Sequence, residues 1–292
     1  MRSILLLPKL QIHNANALSS PYTIGFPAMT AWLGAVHALQ RRLNQAGHPE
    51  LRFSNAGVVC HDIKLHTYQG RGDYVQSIIG TGNPLDKNGS RSSFIEEARC
   101  DLTVSLLIEY EGLAGSVTSD RYIKVVAEQL HLIKWASGDL VHYAEPQLKA
   151  TDDEKSLRQL TRQLMPSYTL IERRDLMAEA MQDGQDAIDA LLDYLTVKHR
   201  SQLSDDKIEW TASRKAKGWL VPIATGFYGI SELGNAENQR DPDTPHRFAE
   251  SLVTLGEFIM PYRIKQLDEL LWHSHYDSEN NLYHIQQNPC NA

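Results

Sequence analysis

The twelve histidines are the first residues to search for chemistry, because imidazole binds metals and moves protons near neutral pH. The tightest sets are His273 with His275, and His61 with Asp62 and His66. Neither is an H-x-x-x-H or H-E-x-x-H pair, the spacing that stacks two imidazoles on one helix face, so no metal site is expected. Glu96 and Glu97 are adjacent carboxylates, but neighbours on a strand face opposite ways, which spoils them as an acid–base pair. No G-x-S-x-G elbow and no G-x-x-x-x-G-K-S/T loop occurs, and Cys60, Cys100 and Cys290 are widely spaced without a C-x-x-C pair. No catalytic residue and no cofactor is therefore expected. A metal-independent ribonuclease survives this filter, because a His with a Tyr or Ser placed by the fold leaves no linear motif.

Nucleic-acid candidates are better populated. Asn14, Asn16, Ser19 and Ser20 offer donors and acceptors suited to phosphates, 2′-hydroxyls and base edges, just ahead of an expected helix N-terminus; the alternative is that they cap that helix and satisfy a turn. Arg41 and Arg42 can grip phosphate or complement the helix dipole. Arg71, Lys87 and Arg91 sit among six glycines and prolines between Gln69 and Ser93, a loop or projecting hairpin whose length argues for a function. Arg158 and Arg162, one helical turn apart, form a further cationic patch unless Asp152 to Glu154 pair with them.

The 292 residues allow one large domain or two modest ones, and 42% hydrophobic with 22% charged residues fits a soluble globular chain. No apolar run reaches the roughly 18 residues of a membrane span, and Ile4–Leu7 is too short for a signal peptide, so a cytoplasmic protein without a membrane partner is expected. The net charge of −7 opposes phosphate binding in bulk, but it is polarised. Residues 1–100 carry ten Lys and Arg against six Asp and Glu, whereas residues 101–292 carry 19 against 30. Such a chain suits a subunit with nucleic acid on one side and protein or solvent on the other.

Periodicity places a strand at Ser3–Leu7 that continues through Leu10 and Ile12, then a polar loop to Pro27, which can open the first turn of a helix. Met29, Trp32, Leu33, Val36, Leu39 and Leu43 define that helix, with Gly47 at its C-cap. Strands at Leu51–Tyr68 and Cys100–Tyr110, a helix at Ser119–Ser137 and a strand at Asp139–Tyr143 complete the order strand, helix, strand, strand, helix, strand. Beyond Ala150 come helices at Asp152–Met165 and Glu172–His199, an extended stretch Gly218–Ser231, a helix from His246 to about Phe258, and a His- and Asn-rich tail expected to fray after Trp272. The fold class is α+β: an RNA-recognition-motif or ferredoxin-like core over 1–150 with an insertion at about 69–95, then a helical and extended part over 151–292.

Several blocks then carry a resemblance: Leu5-Leu-Leu-Pro-Lys-Leu-Gln-Ile-His-Asn-Ala-Asn-Ala-Leu-Ser-Ser-Pro21, Gly34-Ala-Val-His-Ala-Leu-Gln-Arg-Arg42, Gly57-Val-Val-Cys-His61, Asn83-Pro-Leu, Val104-Ser-Leu-Leu107, Leu160-Thr-Arg-Gln-Leu-Met-Pro166, Gly218-Trp-Leu-Val-Pro-Ile223, Thr244-Pro-His-Arg-Phe-Ala-Glu250 and Leu255-Gly-Glu257. In residues and order the chain resembles the second Csy subunit family of type I-F CRISPR surveillance complexes. The resemblance implies a non-catalytic RAMP-type protein with a thumb drawn from Gln69–Ser93. It would cap the 5′ end of the CRISPR RNA, hold the 5′ handle together with the large Csy subunit, abut the backbone Csy subunits, and meet target DNA, if at all, through the assembled complex. The RNA-binding set it suggests is Asn14, Asn16, Ser19, Ser20, His37, Arg41, Arg42, Arg71, Lys87, Arg91, Arg158, Arg162 and Arg247. A repeat-cleaving endoribonuclease, as related RAMP proteins are, in which residues such as His13 or His37 would be catalytic, and a purely structural bridge between subunits remain as alternatives.

Overall fold

The computed structural model describes residues 2–80, 84–91, 97–113, 119–204, 207–239 and 241–287; Gly82, Asn83, Glu96 and Cys290, singled out above, lie outside them. The first half runs β1 (Arg2–Asn16), β2 (Leu18–Ser20), β3 (Thr23–Ile24), α1 (Met29–Gln45), β4 (Arg52–Leu65), β5 (Thr67–Tyr68), β6 (Ser77–Ile78), β7 (Arg99–Glu111), α2 (Ser119–Leu130) and β8 (Asp139–His142). The second runs β9 (Gln147–Thr151), α3 (Glu154–Leu164), β10 (Tyr168–Glu172), α4 (Arg174–Gln182), α5 (Ala187–Leu195), β11 (Lys198–Ser204), β12 (Lys207–Ser213), β13 (Trp219–Gly229), β14 (Ala249–Ile259), β15 (Trp272–Asp277) and β16 (Leu282–Gln287). Ten strands form one antiparallel sheet in the order β10-β14-β13-β16-β15-β4-β7-β1-β8, with β9 also paired to β1. No helix among the described residues is long and apolar enough to cross a membrane.

The central strands are covered on both faces, which is why β1 begins with an unbroken apolar run. Leu5 and Leu7 face α1 and α2 beside Trp32, Leu39 and Tyr122, whereas Ile4 and Leu6 face α3 and two 3-10 turns through Leu157, Leu160, Leu164 and Leu270. Two register shifts interrupt β1, after Leu7 and after Ile12, where Lys9 (φ 49°) and Asn14 (φ 59°) adopt left-handed backbone. Each adds the residue needed to hold Leu7, Leu10, Ile12 and Ala15 in one core cluster despite their uneven spacing. Beyond the first shift the opposite face carries Gln11 and His13, both exposed.

Helix α1 matches its periodicity, and Gly47 (φ 105°) ends it, with the His48 N–H returning to the Leu43 carbonyl. Other expectations are corrected. Pro27 lies before the capping residue Ala28 instead of opening the first turn. The polar loop after Ile12 is the end of β1 followed by the small β2–β3 hairpin. Helix α2 stops at Leu130, because buried Trp135 donates its indole N–H back to the Leu130 carbonyl and folds the chain over the helix end. The helix expected over Glu172–His199 begins as strand β10 and then breaks at Gly184 (φ 96°) into α4 and α5, Asp186 capping the latter. The helix expected over His246–Phe258 is strand β14. Phe248, Leu252, Leu255 and Ile259 recur at helical spacing, but pairing with β13 and β10 wins, and Gly256 lets Leu170 and Ile223 pack onto its backbone. Of the tail expected to fray, the described residues, up to Gln287, form the β15–β16 hairpin inside the main sheet.

Apart from β9, which pairs with β1, the second-half strands of the sheet join the first half along one edge of β4, where Trp272 pairs with Ala56, and Thr169 and Tyr168 pair with Val59 and Cys60. Trp272 is fully buried and donates its indole N–H to the Leu170 carbonyl at 3.1 Å, so one side chain ties β15, β4 and β10 together. Trp272→Ala should therefore lower the unfolding free energy by about 3–5 kcal/mol in urea titrations, from the cavity and the unpaired carbonyl. A loss under about 1 kcal/mol would show that the junction does not rest on this residue.

Candidate nucleic-acid interface

Strand alternation sets the polar surface. Leu102 and Val104 of β7, and Leu10 and Ile12 of β1, point into the α1/α2 core, as Ile63 and Leu65 of β4 do from its margin. The intervening side chains therefore share the opposite face: Asp62 and Lys64 on β4 with His66 just beyond its end, Asp101, Thr103 and Ser105 on β7, Gln11 and His13 on β1. Helix α3 covers only the other end of that face, over Ile4, Leu6 and Val59.

Two hydrogen-bond networks tether the shifts in β1 to β7. The Lys9 N–H donates to Ser105 Oγ at 3.0 Å, and Ser105 in turn lies 2.7 Å from His61 Nε2. His61 Nδ1 lies 3.1 Å from the Pro166 carbonyl, so a neutral ring that donates from Nδ1 and accepts the serine hydroxyl at Nε2 satisfies every partner. Burial, with the Lys9 charge nearby, holds this imidazole below the usual histidine range, against a smaller upward pull from the Pro166 carbonyl. At the second shift the Asn14 N–H donates to Asp101 Oδ1 at 3.0 Å, and His66 Nε2 and His13 Nε2 stand 3.1 and 3.5 Å from the same oxygen. Partial burial pushes the Asp101 carboxyl up, but the Asn14 N–H and the two imidazoles outweigh it and leave the group below its ordinary range.

The residues expected to bind RNA fall into separate groups. Asn14 is exposed beside this face, at the end of β1 that lies opposite the start of β7, where the 67–98 connection returns to the sheet. Arg71, Lys87 and Arg91 are exposed on that connection, whose described part includes the β5–β6 hairpin and a turn held by Asp86. Asn16 spends its amide on the Leu18 backbone, Ser19 meets the Thr23 hydroxyl at 2.9 Å, and Ser20 is buried 2.6 Å from that hydroxyl. These three close the turn, and no side chain caps α1. His37, Arg41 and Arg42 are exposed on α1, on the far side of the sheet. The Phe53 N–H donates to Gln40, which sets the α1 arginines near the start of β4, roughly 35 Å along the strand from Lys64. Arg158 pairs with Glu154, Arg162 is exposed on the same helix, and Arg247 lies along Gly229 with its guanidinium on Asn281, clamping two hairpins.

The grouping of Gln11, His13, Lys64, His66 and Thr103 with Asn14 was missing from the sequence reading. Its signal is period-two alternation in three separate segments, which reveals a shared face only once their registers are known. Among the described residues no group of three or more His, Cys, Asp or Glu is placed to hold a metal ion. Cys60 and Cys100 are buried, and desolvation pushes both thiols up to about 12, which makes them poor nucleophiles.

As pH falls below about 6.5, the unfolded chain protonates His61 before the folded one does, so proton uptake favours unfolding. The melting temperature should drop between pH 7.5 and pH 5.5, and His61→Gln, which keeps a hydrogen-bonding side chain without the titration, should flatten that profile. An unchanged slope in the variant would remove His61 as its source.

Sequence comparison places this geometry in a family. The model described as CRISPR-associated protein (Cas_Csy2) matches residues 5–285. The CRISPR-associated protein Csy2 of Pseudomonas aeruginosa (strain UCBPP-PA14) is 34% identical over 313 residues, spanning 96% of this chain and 94% of that protein. A match that begins in β1 and ends in β16 includes both halves of the sheet, and on that evidence the chain belongs to the Csy2 family, the second subunit of type I-F Csy complexes.

Proposed function

We propose that the chain is a non-catalytic RNA-binding subunit that holds the 5′ handle of CRISPR RNA together with the large Csy subunit and caps the filament of backbone subunits, in the service of antiviral target recognition. Membership of the Csy2 family supports a role within a Csy complex. The observation that carries the RNA reading is the polar face of β4, β7 and β1, beside the 67–98 connection with its exposed Arg71, Lys87 and Arg91. Its neighbours in the sheet run β4-β7-β1-β8 with α1 and α2 behind them, the order that an RNA-recognition-motif-like core requires. On such a core, single-stranded RNA meets the face away from the helices, and its splayed bases pair with donors and acceptors such as Gln11, Asn14 and Thr103. That mode asks little of bulk charge and accords with a net charge of −7. The thumb is assigned to the connection between β4 and β7.

The test is co-expression with the large and backbone subunits and CRISPR RNA, with and without the handle, followed by size-exclusion chromatography and sequencing of the retained RNA. Handle-dependent entry of the chain is expected, and assembly indifferent to the handle would favour a purely structural bridge. Lys64→Glu combined with Arg71→Ala and Lys87→Ala should lower handle retention at least tenfold while leaving the melting temperature of the free chain within about 2 °C, since all three side chains are exposed. One observation favours an endoribonuclease instead: the His13 and His66 rings lie 6.2 Å apart, within reach of one phosphodiester. Incubating the free chain with repeat RNA decides between them, because the binding role leaves the RNA intact.

A further inference from the structure

The acidic second half carries one element without net charge. Between α5 and β13 the chain forms the β11–β12 hairpin, a two-stranded sheet of its own outside the ten-stranded one. Every residue of β12 is exposed, as are Lys198–Leu203 of β11. An isolated two-stranded ribbon is marginal in water and needs a surface to pack on. The register shows where that surface belongs. Leu203 pairs with Ile208 and Ser201 with Trp210, so alternation gathers Leu203, Ile208 and Trp210 on one face, while Arg200 and Lys207 take the other. The three apolar side chains are 74%, 67% and 71% exposed. Trp32, Trp135 and Trp272 are fully buried and Trp219, 47% exposed, packs against Tyr168 and Phe258, so Trp210 is the most exposed of the five tryptophans and a candidate aromatic anchor.

We infer that this ribbon is a docking arm that seats its Leu203–Ile208–Trp210 face in an apolar, carboxylate-rimmed groove on another protein subunit of the Csy complex. The proposal rests on the reading of the chain as a subunit of that complex. Two observations choose the occupant. Charge supplies the rim: the ribbon over residues 198–213 is balanced, three Lys and Arg against three Asp and Glu, and Arg214, Lys215 and Lys217 follow directly at its base, within a half of the chain that is otherwise strongly acidic. Lys198 and Lys215 at the base already pair with Asp193, which leaves Arg214 and Lys217, both exposed beside the ribbon, to meet a partner's carboxylates. Area decides against self-association. Three such side chains offer on the order of 400 Å², about half of what one partner contributes to a standard interface, so two ribbons alone would not hold a dimer, whereas the arm can anchor a larger contact between subunits. Nucleic acid is a poorer match, because an aliphatic and indole face offers no cation to neutralise phosphate and the sequence between the two strands carries Asp205 and Asp206.

The experiment compares the wild-type chain with Ile208→Ser/Trp210→Ser, each co-expressed with the other subunits and CRISPR RNA, and follows hydrogen exchange over residues 198–213 in the free chain and in the complex. Because both side chains are exposed, the variant should melt within about 2 °C of the wild type while its recovery in the complex falls at least tenfold. Hydrogen exchange in the ribbon should slow at least tenfold on assembly of the wild type. Failure of the wild-type chain itself to assemble would sink the subunit reading, whereas normal recovery of the variant from a complex that the wild type joins would overturn the docking arm alone. Protection of the ribbon by RNA or DNA without protein partners, or by raising the concentration of the free chain, would likewise overturn it, in favour of a nucleic-acid surface or a self-association surface.

Discussion

The two register shifts in β1 are the constraint on which the remaining architecture depends. A strand alternates strictly, so without an inserted residue Leu10 would turn away from the core that holds Leu7, and Ala15 away from the one that holds Ile12. Left-handed backbone at Lys9 and Asn14 costs on the order of 1 kcal/mol each, and the side chains of Ser105 and Asp101 offset this by bonding the displaced N–H groups. The same insertions set Gln11 and His13 on the face opposite the helices. Core packing and the polar surface are thus two consequences of one backbone irregularity, and Ser105 links it through His61 to the segment that follows α3.

Strand β4 is the second structural pivot. One edge pairs with β7 over most of its length, while the other receives only short contacts from β10 and β15. A buried tryptophan and a glycine complete that seam: Trp272 bonds the Leu170 carbonyl, and Gly57 lets the Leu270 backbone approach where a β-carbon would collide with it. The second half thereby extends the same sheet, and its helices α4 and α5 cover β13 and β14 through Met177, Leu191, Leu220 and Leu255. The β11–β12 ribbon stands outside this economy of burial, and that exception is what marks it as a surface completed by assembly.

Among the candidate RNA contacts, legibility followed the nature of each residue's partners. The exposure of Arg71, Lys87, Arg91, Arg41 and Arg42 agrees with their being long cations in a loop or on the polar side of a helix. Asn16, Ser19 and Ser20 were identified correctly as hydrogen-bonding residues, yet their bonds go to the Leu18 backbone and the Thr23 hydroxyl. Short polar side chains serve turns and ligands equally well, and composition does not tell the two apart. Arg247 showed the same ambiguity, since a guanidinium beside a glycine can clamp a neighbouring strand as readily as a phosphate.

What the sequence determined by itself is what depends on neighbours along the chain. The periodicity of α1 and its glycine stop, the apolar run of β1 and the alternation of β4 and β7 all express local geometry, and the ordered blocks of residues identify the family. Only the tertiary structure decided that Ala249–Ile259 is a strand, that residues 272–287 of the histidine-rich tail are a hairpin, and that His13, Asp101 and His66 share a corner. Those outcomes rest on pairing between segments far apart in the chain. An apolar spacing compatible with both helix and strand carries no information about which neighbour will supply the missing hydrogen bonds.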